Sequence, residues 1–147
     1  MKPPTTYAEW ATLLTELKSI PLDDDYLSAI YQGKLEFLPG VAERFTTRLT
    51  ETVNTRLERI STNFNQSIHR TSSDERALVT ALRNTQKEFK ALIQIVKMPI
   101  LPEKFQEIYI HSIRDEAKKI QSSLENSAKS DRTGKLSAII RQYKIHV

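Results

Sequence analysis

The sequence predicts an all-α fold, a helical bundle centred on three long helices. Three observations carry this. Apolar side chains recur three or four residues apart in six successive segments. No segment sustains the apolar–polar alternation of a half-buried strand. Only three glycines occur in 147 residues, too few for a fold built on many tight turns.

Two short helices come first. Thr6 and Glu9 form a capping box after Pro3-Pro4. Tyr7, Trp10, Leu13, Leu14 and Leu17 then follow at helical spacing, with Trp10 a candidate core anchor. Pro21 stops this helix near Ser19. Asp23-Asp24-Asp25 puts carboxylates at the positive end of a second helix dipole. Leu27, Ile30 and Tyr31 form its apolar face, Gly33 is a candidate C′ residue, and Leu35 and Phe37 anchor the linker beyond.

The long helices are expected at about 41–70, 73–98 and 102–128. The first places Val41, Phe45, Leu49, Val53, Leu57, Ile60, Phe64 and Ile68 in seven steps over 27 residues, about 3.9 residues each. That exceeds the 3.6 residues of a turn, so the stripe drifts round the helix and suits different neighbours at its two ends. Its many threonines are mediocre helix formers, so packing must hold it. Ser72 and Glu75 form a second capping box for the next helix, which turns Leu78, Ala81, Leu82, Thr85, Phe89, Leu92, Ile93 and Val96 inward. Ala77, Val79, Ile95 and Met98 fall outside that face, which predicts cover on more than one side at both ends. Pro102 suits the first position of the third long helix, with Phe105, Tyr109, Ile113, Ala117, Ile120 and Leu124 inward.

Residues 129–134 read as a polar loop. Leu136, Ile139, Ile140 and Tyr143 then fit i, i+3, i+4, i+7 of a short C-terminal helix. Residues 142–147 have strand-like composition but no strand to pair with. The organisation is one helical domain over 1–147. Its acidic N-terminal hairpin, 1–38, packs on the bundle, and 129–147 is a basic loop and helix.

Charge is uneven. Residues 1–40 carry three basic and six acidic side chains, and residues 41–147 carry nineteen and twelve. In the C-terminal segment Lys129, Arg132, Lys135, Arg141 and Lys144 face Asp131 alone. Arg132, Lys135, Arg141 and Lys144 are candidate phosphate contacts. Against that, the cations look spread over many helical angles, no aromatic residues interleave with them, and no helix-turn-helix or zinc-finger spacing is evident.

Catalytic and metal chemistry find little support. With no cysteine there is no disulfide, thiolate site or cysteine nucleophile. Neither His69 nor His111 has the glutamate three residues earlier that a di-iron bundle needs. Glu107 and His111 could form one edge of a metal site, but no second pair is visible. Asp115 and Glu116 diverge by about 100° on a helix. The Asp23–Asp25 run lacks the glycine and distal glutamate of a calcium loop. Thr133-Gly134-Lys135 lacks most of a phosphate loop, and no nucleophile elbow occurs.

The expectation is a non-catalytic interaction or scaffold protein without a cofactor. It self-associates as a homo-oligomer or takes a protein partner through Leu136, Ile139, Ile140 and Tyr143. The alternative is a nucleic-acid-binding accessory protein using the basic C-terminal segment. No apolar run reaches the length of a signal peptide or a membrane span, so the expected setting is the cytoplasm, away from membrane.

Overall fold

The computed structural model describes residues 1–71 and 74–147, the side chains of residues 69–71 excepted. Among the described residues six helices follow one another: α1 (Tyr7–Glu16), α2 (Asp24–Gln32), α3 (Pro39–Thr71), α4 (Glu75–Val96), α5 (Glu103–Ala128) and α6 (Lys135–Gln142). No strand occurs among the described residues. The fold is the all-α bundle that the periodicity predicts, with long α3, α4 and α5 flanked by short helices.

The caps follow residue chemistry. The Thr6 hydroxyl accepts from the Glu9 N–H at 3.2 Å, and the Glu9 carboxylate reaches back to the Thr5 N–H at 3.4 Å. Asp23 accepts from the Tyr26 N–H at 2.9 Å. Asp74 caps α4, accepting from the N–H groups of Arg76 and Ala77. The Ser72 half of the predicted capping box lies outside the described residues. Pro102 is the N-cap of α5 and not its first helical residue, and it offers no side-chain bond.

Side-chain pairings fix the helix directions. Tyr109 bonds the Thr46 carbonyl and the Thr50 hydroxyl, while Ser61 donates to Glu116 at 2.7 Å. Both chains advance together, so α3 and α5 run parallel, with α4 returning between them. Likewise Tyr7 accepts from Arg48, the Leu14 carbonyl from Thr52 and the Leu17 carbonyl from Arg56, so α1 runs parallel to α3. One helix thus touches α1, α4 and α5, which accounts for its drifting stripe. Its threonines are accommodated by bonding back: the hydroxyls of Thr46, Thr47, Thr50 and Thr52 each donate to the carbonyl four residues earlier.

Two contacts dock the N-terminal helices. Trp10 is fully buried, its ring edge-on to Phe45 at 5.5 Å, and its indole N–H donates to the Lys34 carbonyl at 3.0 Å. Gly33 ends α2 with φ −65°, so it is not the left-handed C′ glycine expected from sequence. Its lack of a side chain matters for another reason: a Cβ there would collide with the Trp10 ring. Arg56, 5% exposed, donates from Nη1 to the carbonyls of Leu17 at 3.2 Å and Ile20 at 2.7 Å. It supplies donors to backbone oxygens that the end of α1 leaves unpaired. Desolvation lowers its pKa, opposed by the charge of Glu88.

One core cluster joins residues from Trp10 to Ile145. Ile95 and Met98 are buried, so the C-terminal end of α4 is covered on more than one side, whereas Ala77 and Val79 at its start are only partly buried. Phe105 departs from expectation. It is 37% exposed: helical period sets its phase on α5 but not how fully the neighbouring elements cover the first turn.

Gly33→Ala tests the Trp10 joint. The variant is expected to lose about 1–3 kcal/mol in urea unfolding, the usual penalty for overpacking. Gly40→Ala, where a Cβ meets nothing, should not lower stability.

Candidate functional site

The solvent face of α4 carries Arg76, Arg83, Lys87 and Lys90, with Lys97 at its C-cap. All five are exposed. At 100° per residue they fall within a sector of about 80° and span about 31 Å along the axis. Gln94 is the other long side chain in that sector, and no acid lies there. None of the five forms an ion pair with a described residue. Helix formation alone does not explain the pattern, since Arg76 lies in the first turn, where the dipole disfavours a cation.

Beside the stripe lies a groove of about 530 Å³ between α4, the start of α2 and the C-terminal segment. Leu22, Leu27, Leu82 and Tyr143 supply apolar surface, and Arg83, Lys87, Lys90 and Lys144 supply cations, with Asp24 on the opposite rim. The Arg83 guanidinium lies over the Tyr143 ring, 5.1 Å from its centroid.

The C-terminal wall is held by side-chain amides. Gln86 on α4 bonds both backbone groups of His146: its Oε1 accepts from the N–H at 2.9 Å and its Nε2 donates to the carbonyl. Gln121 on α5, itself buried, accepts from the Ile145 N–H at 3.0 Å. Arg114 donates to the Val147 carbonyl at 3.0 Å. The strand-like residues at the end of the chain therefore find partners without a sheet: two glutamine amides satisfy an extended backbone between α4 and α5.

The predicted partner face lies against the chain's own core. Ile140 is buried, while Leu136, Ile139 and Tyr143 are partly buried and packed on the main cluster. The four predicted phosphate contacts are all exposed, yet they do not form one site. Lys144 borders the α4 groove. Arg141 and Lys144 share a smaller concavity of about 290 Å³ with Glu125 and Gln121. Arg132 and Lys135 line neither.

Asp131 fills the loop before α6 with its own carboxylate. Oδ2 accepts from the Leu136 N–H at 2.9 Å, and Oδ1 from the N–H and hydroxyl of Thr133. Gly134 permits the turn with φ +74°. The donors a phosphate would want there are taken. Nor do metal ligands gather: His111 pairs with Asp115 at 3.3 Å and not with Glu107, and no group of three ligands occurs among the described residues. The side chain of His69 lies outside them.

Sequence reasoning missed Arg76, Arg83, Lys87, Lys90 and Lys97. The signal was present as spacings of 7, 4, 3 and 7 residues. The cations are spread over many helical angles across the whole chain, but those of α4 share one sector. The chain matches no family model, no curated protein and no solved structure. No helix among the described residues is long and apolar enough to cross a membrane.

Hydrogen bonding from Leu136, with Thr133 next, holds the Asp131 carboxyl below the usual range. A lowered carboxyl pKa stabilises the folded chain above the unfolded value, and the gain is lost as pH falls through the folded one. Asp131→Asn should therefore melt below the parent at neutral pH. The gap should close as pH drops well below about 4, as followed by circular dichroism.

Proposed function

We propose that the protein is a non-catalytic nucleic-acid-binding protein, holding a phosphate backbone along the α4 stripe with Lys144 beside it. The observation that carries this reading is five exposed, unpaired cations in one narrow sector, with no acid among them. A linear array some 31 Å long suits a polymer of regularly spaced negative charge better than a small anion. The apolar face of α4 is committed to the core, so the stripe acts from the surface without inserting into a bilayer. The cytoplasm, where nucleic acid is accessible and cysteine-free chains are ordinary, is the setting we assign.

The C-terminal apolar residues support self-association less well than their sequence pattern promised, because they pack on their own chain. A protein contact retains one surface observation. Phe105 and Ile108 stand on one face of α5, and Ile108 is 53% exposed. If this face joins two copies, light scattering gives a mass that rises with concentration, and Ile108→Asp abolishes the rise.

The stripe is tested by salt. Oligonucleotide affinity should fall linearly with ionic strength on a log–log plot. The triple variant Arg83→Gln, Lys87→Gln, Lys90→Gln should reduce the slope by about 2 to 3, one contact's share for each residue. An unchanged slope would remove α4 from the interface. Arg132→Gln with Lys135→Gln is expected to have little effect.

A further inference from the structure

The groove next to the stripe adds a second chemistry to the charge. Its floor joins Leu22, Leu27, Leu82 and the Tyr143 ring. Two of its amides, Gln94 and Gln142, are exposed and bond no described residue, unlike Gln86, which is occupied by His146. Its 530 Å³ falls within the ~300–1,000 Å³ of ligand clefts.

From this we infer that the bound nucleic acid is single-stranded, with an unpaired base entering the groove while its neighbouring phosphates lie on Arg83, Lys87 and Lys90. The inference rests on reading α4 as a phosphate track. Charge complementarity sets the occupant's backbone, because the rim is cationic along the α4 side. The floor sets the rest. A flat base covers apolar surface and stacks with the Tyr143 ring beside the Arg83 guanidinium, which lies 5.1 Å from the ring centroid. The edge of a base offers donors and acceptors to Gln94 and Gln142, and to the Asp24 carboxylate across the groove. An acyl chain would cover the same floor but offers no charge or hydrogen-bonding group to the cationic rim and the amides beside it. A duplex would reach the stripe with its phosphates and leave the groove unfilled, because its bases are stacked inside the helix.

The test measures fluorescence anisotropy of the full chain at low salt with three labelled probes: a mixed-sequence DNA strand of about 20 nucleotides, longer than the ~4–16 one small module occupies, its duplex, and a strand of equal length whose central positions are abasic. The base-bearing strand should bind at least about fivefold more tightly than the abasic strand and the duplex, the lower end of what one stacked base contributes. Tyr143→Leu should bring it down to the abasic level, and Gln94→Ala, on the exposed surface, should weaken it while leaving the melting temperature unchanged. The abasic comparison uses the unaltered protein, so it decides the matter even if Tyr143→Leu disturbs the fold. Equal, salt-sensitive binding of all three probes overturns the base-binding groove and leaves the phosphate track standing. No binding of any probe at low salt overturns both.

Discussion

An indole buried in a helical protein needs two things at once: apolar walls for its rings and an acceptor for its N–H. Trp10 obtains both from segments that are distant in sequence. Phe45 on α3 packs edge-on to the ring, and the carbonyl of Lys34, just past α2, accepts the hydrogen bond from the N–H. The chain after α2 can come that close only because Gly33 has no side chain. The Lys34 N–H in turn donates to the Pro4 carbonyl at 2.9 Å, so the entry to α1 and the exit from α2 are tied together over the same ring. Arg56 fixes the other end of α1, through the carbonyls of Leu17 and Ile20. Between these two anchors the orientation of α2 has little freedom. The α2 wall of the groove, Leu22, Asp24 and Leu27, is set by contacts that lie outside the groove.

The opposite wall solves a different problem. An extended segment at the surface of a helical bundle has backbone donors and acceptors and no neighbouring strand to pair them. Gln86 offers one amide that reproduces both halves of a strand pairing, and Gln121 supplies a further acceptor from a buried position. A buried amide with no partner would be unfavourable by about 1–3 kcal/mol, so Gln121 and the Ile145 N–H stabilise each other's burial. The groove is therefore walled by helix docking on one side and by side-chain amides on the other.

Helix number, order and most inward positions were legible in the sequence, because a 3.6-residue period is written in side-chain polarity alone. Phe105 shows the limit of that rule. It keeps the inward phase of α5, but period says nothing about how fully the neighbouring elements cover a given turn. Gly33 shows another. Its position after α2 suggested a left-handed cap, whereas the actual demand, closeness to Trp10, comes from a residue 23 positions earlier. Leu136, Ile139, Ile140 and Tyr143 could be recognised as one apolar face, but whether that face meets its own chain or another depends on the loop held by Asp131. The cationic stripe was legible in principle, since it needs only helical angle. The groove beside it was not, because it is assembled from three segments separated by 55 and 48 positions.

Uncompensated charge on one helix face could be an accident of solubility, and magnitudes help to weigh that. Two cations about 6 Å apart in water repel by about 0.7 kcal/mol, and physiological salt roughly halves this. The stripe therefore destabilises the fold only slightly and could persist without any role. For a ligand the same charges act together, since each phosphate neutralised releases its own condensed counterion and the contributions accumulate along the array. The asymmetry matters more than either value: the stripe is nearly neutral for stability and strongly favourable for a polyanion. What separates it from a merely solvated face is position. The cations at its centre, Arg83, Lys87 and Lys90, line a groove with an aromatic ring and exposed amides, and one of them lies over that ring. On the reading proposed above, this convergence is what would let the same charges hold a strand against the groove.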